Sequence, residues 1–452
     1  MLALIFLGYT RIKLGEYVGL SSFQFLAFFR RLLIYTFLAI YLGQVIGLST
    51  TEVTLMATIP MIASASFQAF IWGPVIDKTK QSVALIGYGE LFAGFGHVLM
   101  FWLHKFYYNQ GLIKESGFAI IGVLTLIEFG WSASNVGWVA LIAEKTDSDE
   151  RTKLYGNLSV IGGLGGIFGA RIGGLYYDGG VGFSEGMLFY IAAGVMAISA
   201  GMIFLTNKNV KVPKDQSFGL SRAEKDPEEN GIALLEDLPS SIKKAFIWFI
   251  IALIFINFGR NSVALIINLY LVDGGGFAAT DKQIADYSNL WSGASLITGM
   301  SVWFGKDKIS DGKLMLLGSI MSIIGLIWFT LASTFIWVLI SATLLGSVYV
   351  LIQASSYGIV ASIIPEEYRG RMFAYYNVTF FLSWGVGGTL INGPIADYLI
   401  KNGSSKANAY EFTFFVAAGI VFIGIAFLLG SYRLIGKLES IDQQPDDDRK
   451  LT

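Results

Sequence analysis

Cysteine is absent from the 452 residues, and histidine occurs only twice, at His97 and His104. The first absence excludes disulfide frameworks, thiolate zinc sites, iron–sulfur clusters and cysteine nucleophiles; the second leaves no metal-ligand cluster. Charge is scarce too: Asp, Glu, Lys and Arg make up 14% of the chain, where a soluble protein carries about 25%. Glycine-dense stretches near Gly87 and Gly162 lack the strand-then-helix setting of a nucleotide loop, and no Walker lysine–serine pattern occurs, which disfavours ATP-driven pumping. The net charge of −1 gives no nucleic-acid surface. Met1–Gly8 is apolar but short, with no basic region before it and no convincing cleavage site, so it reads as a lead-in to a first span rather than a signal peptide. No cofactor is implied, and no nucleophile–base constellation marks an enzyme.

Apolar residues make up 54% of the chain, and they fall in runs long enough to cross a bilayer core of about 30 Å. Twelve spans are expected, near 20–43, 53–73, 82–104, 117–143, 155–176, 186–206, 245–271, 283–304, 314–333, 336–362, 372–396 and 411–433. Residues 207–244, rich in Lys, Asp and Glu and holding Pro213, Pro227 and Pro239, form a solvated connector. The expected organisation is a six-helix bundle over 1–206, the cytoplasmic connector 207–244, a second six-helix bundle over 245–435 and a cytoplasmic tail over 436–452. With both termini in the cytoplasm, only Lys105, Lys114, Lys282, Lys401 and Lys406 face outward, an asymmetry of roughly four to one that fits the positive-inside rule. The chain reads as a monomeric, multi-pass protein of the cell membrane.

The halves carry matching spacings. Arg31 precedes Tyr41-Leu42 by nine intervening residues, and Arg260 precedes Tyr270-Leu271 by the same interval. Thr51-Glu52 and Thr280-Asp281 then suit the start of the following helix. At the entries to spans five and eleven, Arg151-Thr152-Lys153-Leu154-Tyr155 parallels Arg369-Gly370-Arg371-Met372-Phe373. Coincidence among helices of similar composition is the alternative to a repeat.

Six charges fall inside spans: Arg30, Arg31, Glu90, Glu128, Arg171 and Arg260. Facing lipid they would together cost on the order of 15–20 kcal/mol, so they must line a wet cavity, pair, or lie near an interface. Glu128, deep in span four with Asn135 two turns along the same face, is the better proton carrier, and Glu90 is either a second carrier or half of a structural ion pair. His97 reads as an interfacial histidine near the outer surface, and Arg30 as a snorkelling cation. Arg31 and Arg260 either converge on a central cavity or are neutralised by Glu90 and Glu128. Arg171 reads as a gating or helix-contact residue. Asn257 and Asn261 of span seven, with Tyr349, Gln353 and Tyr357 at four-residue spacing in span ten, either wall a cavity or hydrogen-bond between helices.

Between spans two and three, Gly73-Pro74-Val75-Ile76-Asp77-Lys78-Thr79-Lys80 resembles the cytoplasmic loop signature of the major facilitator superfamily; the usual later glycine and paired arginines are Lys80 and Gln81 here. Gly305–Lys313 is the weaker counterpart in the second half. Span five, with Gly156, Gly165, Gly169-Ala170, Arg171 and Gly173-Gly174, resembles the antiporter signature of that superfamily's proton-coupled drug exporters, with Ala170 in place of the usual proline. The resemblance covers nearly the whole chain. It implies an all-α membrane fold of twelve helices in two pseudo-symmetric six-helix bundles around a substrate cavity. It also implies a secondary active transporter that moves a small molecule by alternating access, with protons and the lipid bilayer as its other partners and efflux in exchange for protons slightly favoured. Arg31 and Arg260 resemble the anion-binding arginines of the superfamily's organophosphate exchangers, which implies an anion exchanger or symporter as the alternative. A membrane receptor or scaffold that does not transport is the third reading.

Overall fold

The computed structural model describes residues 12–146, 148–207, 238–273, 276–305, 309–364 and 369–442. Residues 208–237, most of the expected connector, lie outside them, as do 306–308 of the second-half loop and the end of the tail. Every long element is a helix, because only a helix satisfies all its backbone groups within one segment when water is excluded.

The helices are α1 (Leu14–Ile40, extended by Tyr41–Val45), α2 (Thr50–Phe67, extended by Gln68–Trp72 and Gly73–Thr79), α3 (Ser82–Asn109) and α4 (Ile113–Lys145). They continue as α5 (Ser148–Tyr177), α6 (Met187–Thr206), α7 (Ser240–Asn261, resuming as Ala264–Val272) and α8 (Asp281–Gly305). The last four are α9 (Asp311–Thr330), α10 (Phe335–Ile363), α11 (Arg369–Gly387, extended by Gly388–Asn392 and Gly393–Lys401) and α12 (Lys406–Asp442). Ten of the described helices are long and apolar enough to cross a membrane. The two below that threshold are α8 and α11, both of which face the other half of the molecule, where a helix does not need to be apolar all round. All twelve alternate in direction. One end of the bundle, here the near end, holds the start of α1 and the finish of α12; the far end holds the start of α2.

Local chemistry sets the helix ends. Ser49 caps α2: its Oγ accepts from the Glu52 amide at 3.3 Å and Glu52 Oε2 accepts from the Ser49 amide at 2.7 Å. Thr280 and Gln283 form the same reciprocal box on α8, at 2.8 and 3.4 Å. The α2 cap is thus two residues earlier than Thr51-Glu52 suggested. The Gly73–Asp77 segment, expected as a loop, is helical, and its backbone leaves the helix only at Lys80, with φ of 53°. The Asp77 side chain lies outside those described, and so do the side chains of Arg151, Arg369 and Arg371; Lys78 is exposed.

The span-five glycines have a visible cause. A Cβ on Gly165 would sit 2.1 Å from the Phe25 carbonyl oxygen, and one on Gly169 would sit 2.0 Å from that of Phe29, so α1 runs directly against the α5 backbone. Gly173 continues this contact at Leu33 and Phe37, whereas Gly174 meets Ala285 of α8 and Gly156 meets nothing. Ala170 is fully buried. The tyrosine repeat also holds in space: Tyr41 pairs with His104 Nε2 at 2.8 Å, and Tyr270 donates to Glu411 at 2.7 Å, both near the far end.

Candidate functional site

The two halves touch along α1–α7, α2–α11 and α5–α8. Among the described residues, every hydrogen bond or ion pair between them lies from mid-span to the far end. Asn268 Nδ2 donates to the Thr36 carbonyl at 3.4 Å. The hydroxyls of Thr54 and Thr58 meet that of Thr389 at 2.9 and 2.7 Å. Arg171 pairs with Asp286 at 3.1 Å, and the Gly179 amide donates to Asp281 at 3.1 Å. The Thr50 and Thr51 amides donate to the Asp397 carboxylate at 2.8 and 2.9 Å. Arg171 therefore bridges the halves. Toward the near end no such bond joins two described residues, and exposed polar side chains stand there instead.

The walls of that opening carry the charged and polar side chains. In the first half, Arg31 is exposed although it lies mid-span, and it has no hydrogen bond or ion pair among the described residues. The carboxylate of Glu128 is almost buried, with the Ser64 hydroxyl against it and Arg31 and Arg30 close enough to act on it electrostatically. Ser64 belongs to α2, which faces the other half, so this group looks inward and not at lipid. Tyr35 stacks on Trp131 at 6.2 Å beside it, and Asn135 is exposed two turns further along α4.

In the second half, the α10 stripe lies between the two helices that face the partner half. Tyr349 packs on Trp291 of α8 at 5.4 Å, and Tyr357 packs on Tyr376 of α11 at 6.3 Å. Gln353 and Tyr357 are exposed. The Arg260 guanidinium sits over the Tyr349 ring at 5.2 Å and donates to Asn257 Oδ1 at 3.3 Å. Its Nε has no hydrogen-bond partner, and no acidic group pairs with it among the described residues.

Two sequence expectations, for Arg30 and His97, are corrected by this geometry, and two open alternatives, for Glu90 and for Asn257 with Asn261, are narrowed. Arg30 does not snorkel: it is 7% exposed, pairs with the fully buried Glu90, and lies over the Trp131 ring at 4.9 Å. Glu90 also accepts from Ser134 at 2.8 Å, so its surroundings are those of a structural pair. His97 is not interfacial; it is buried, its Nδ1 2.8 Å from the Ala93 carbonyl of its own helix. Asn257 and Asn261 do not face the opening. They are buried in the α7–α11 seam, where Asn257 Nδ2 donates to Thr379 at 3.3 Å and Asn261 Nδ2 to Ser383 at 2.7 Å. Asp397 went unread in the sequence, although Gly393-Pro394-Ile395-Ala396-Asp397 repeats the pattern of Gly73-Pro74-Val75-Ile76-Asp77.

The family model described as Major Facilitator Superfamily matches residues 20–388 and 307–446. A search of curated proteins gives no match. Among solved structures, a bacterial homolog of the human lysosomal transporter Spinster, in an inward-facing and unoccupied conformation, is similar with a TM-score of 0.72 at 14% identity, over 94% of this chain and 98% of that one. The peptide transporter POT in complex with sulfate gives 0.68 at 13%, over 96% and 99%. The nucleoside transporter NupG gives 0.66 at 13%, over 91% and 98%. At such identities the likeness is one of fold.

Proposed function

The chain belongs to the major facilitator superfamily, and from that premise we propose that this transporter moves a small solute by alternating access, with Glu128 as the group that carries the coupling proton. One observation carries the reading: every described polar bond between the halves lies on one side of mid-span, while Arg31, Asn135, Gln353 and Tyr357 stand exposed in the space opposite. Exposed polar groups at that depth are sustainable only where water reaches them. By the positive-inside rule we read the basic loops and the termini as cytoplasmic; on that reading the closed far end is external and the opening faces inward.

Glu128 suits the role because it is nearly dehydrated yet borders the opening, with one hydroxyl partner and two guanidinium groups around it. Protonation removes the one negative charge that faces Arg31, which leaves the unpaired guanidinium free to act on whatever enters. Export in exchange for protons is the direction the span-five glycine pattern favours. The test is solute flux in proteoliposomes under an imposed pH gradient. Wild type should accumulate or release solute in response to the gradient, and Glu128→Gln should abolish the response while leaving passive exchange of solute. Flux that ignores the gradient would rule out the coupling; no flux with any panel of solutes would favour a receptor or scaffold.

A second reading has its own support. Arg30 and Glu90 cancel, which leaves Arg31, Arg260 and Glu128 as the charges around the opening, a net positive set that suits an anionic solute. Replacing Arg31 and Arg260 together with alanine should abolish transport of an anion and leave that of a neutral or cationic compound largely intact.

A further inference from the structure

The closed far end is held by an arrangement that the transport reading does not require. The α2 helix begins at Thr50 with backbone amides that no intrahelical carbonyl can satisfy. Ser49 takes the Glu52 amide. The Thr50 and Thr51 amides are taken by one carboxylate oxygen each of Asp397, a residue of the other half, at 2.8 and 2.9 Å. A carboxylate at a helix N-terminus also gains from the positive end of the helix dipole. Two of α2's own end-group bonds therefore exist only while the halves are together.

The backbone of α11 is shaped to deliver this carboxylate. A five-residue π turn, Gly388–Asn392, runs into Gly393-Pro394 and then Asp397 four residues after the glycine. A Cβ on Gly393 would stand 3.0 Å from the Thr51 Cα, so only glycine lets α11 lie flat on the start of α2. A Cβ on Gly388 would stand 3.1 Å from the Thr54 methyl, and one on Gly385 would stand 2.4 Å from the Thr58 Cα. The same order of π turn, glycine and proline, with an aspartate four residues after the glycine, recurs in α2 itself, at Gln68–Trp72 and Gly73–Asp77. Around Asp397, a crevice of about 430 Å³ is lined by Ser49, Asp273, Lys401, Lys406 and Tyr410, so water has a route to the latch.

We propose that Asp397 is the latch of the far end: its grip on the α2 N-terminus sets the balance between the closed and open forms of that end. The proposal rests on the alternating-access reading, but its test reads a distance and not a flux. The natural absence of cysteine lets Gln110→Cys and Asn402→Cys, exposed far-end positions in opposite halves, carry spin labels on an otherwise unlabelled chain. Distances are then measured by pulsed electron resonance in nanodiscs.

Asp397→Ala should raise the population with separated labels about tenfold or more, the loss expected for charge-assisted hydrogen bonds; Asp397→Asn should raise it less. Thr50→Pro probes the latch from the other side. It deletes one amide donor at the first helical position, where proline is well tolerated, and should shift the distribution in the same direction, whereas Thr50→Val, which keeps the amide and loses only the hydroxyl's contact with the Asp397 carboxylate, should shift it less. Combining Thr50→Pro with Asp397→Ala should add less than Thr50→Pro does alone. The proposal is overturned if Asp397→Ala, still monodisperse, shows the wild-type distribution, or if Thr50→Val matches Thr50→Pro. Wild type that transports nothing yet shows the Asp397 shift would sink the transport reading and leave the latch standing.

Discussion

The two halves solve one packing problem by different physics. In the first half, α1 meets α5 through glycines: Phe25, Phe29 and Leu33 present carbonyl oxygens where Gly165, Gly169 and Gly173 leave room. In the second, α7 meets α11 through side-chain hydrogen bonds, Asn257 to Thr379, Asn261 to Ser383 and Asn392 to Ser262, the last at 2.6 Å. Their buried arginines differ in the same way. Arg30 is neutralised by Glu90, while Arg260 is held by Asn257 and the Tyr349 ring. The first half is closed upon itself, by close backbone contact and a completed ion pair. The second keeps a buried cation, Arg260, with no acidic partner among the described residues.

The largest expected effect tests the charge asymmetry. Glu90→Gln strands a buried guanidinium, and Arg30→Gln strands a carboxylate with no exposure at all; each should lower stability by about 3–5 kcal/mol. Arg260→Gln strands no opposite charge, only the Asn257 carbonyl, so its cost should be about 1–2 kcal/mol. Denaturation in detergent, followed by tryptophan fluorescence, ranks the three. Equal losses from Arg30→Gln and Arg260→Gln would mean that Arg260 has a counter-charge after all, and the anionic-solute reading would lose its footing.

Next in size are the seams. Gly165→Ala and Gly169→Ala each force a methyl group against a backbone carbonyl that cannot rotate away, so α1 and α5 must move apart, at about 1–3 kcal/mol each. Asn261→Leu removes a hydrogen bond but can fill its space, and should cost about 1 kcal/mol. Gly156→Ala is the internal control, since nothing lies within 4 Å of its Cβ position, and it should be neutral or slightly stabilising. Thermal shifts in the order Gly169, Asn261, Gly156 would support the division; a larger loss at Gly156 would contradict it.

The helices were legible because lipid forces every spanning segment into one conformation, so length and hydropathy suffice. The α5 glycines stand at spacings that let two helix backbones pack closely, and that spacing is visible in the sequence. The choice between Arg30 and Arg31 was not: neighbours on a helix point about 100° apart, and nothing local says which of them meets Glu90 and which meets the opening. The spacing to Tyr41 favoured Arg31 as the partner of Arg260, yet in burial and in its place over an aromatic ring Arg30 is the closer parallel. Asn257 and Asn261 stayed undecided in the sequence because a polar residue in a span looks the same whether it meets solute or a hydroxyl on the next helix. The near-end finish of α2 resembles a loop signature in sequence, whereas in the structure a π turn leads into Gly73-Pro74 and the helix runs on to Thr79.

That finish supplies the smallest test, again across the halves. After its π turn, glycine and proline, α2 stops at Lys80 in the left-handed region, φ 53°, while α11 stops beside Gly403, φ 91°. A residue with a Cβ is strained there by about 1 kcal/mol, and glycine is not. Lys80→Gly should therefore stabilise by about that amount, and Gly403→Ala, where nothing lies within 4 Å of the added Cβ, should destabilise by a similar amount through backbone strain. Lys80→Ala separates strain from charge: it removes the same cation but keeps the Cβ, so it should leave the melting temperature close to wild type. A gain from Lys80→Ala equal to that from Lys80→Gly would assign the effect to charge and erase this difference between the helix ends.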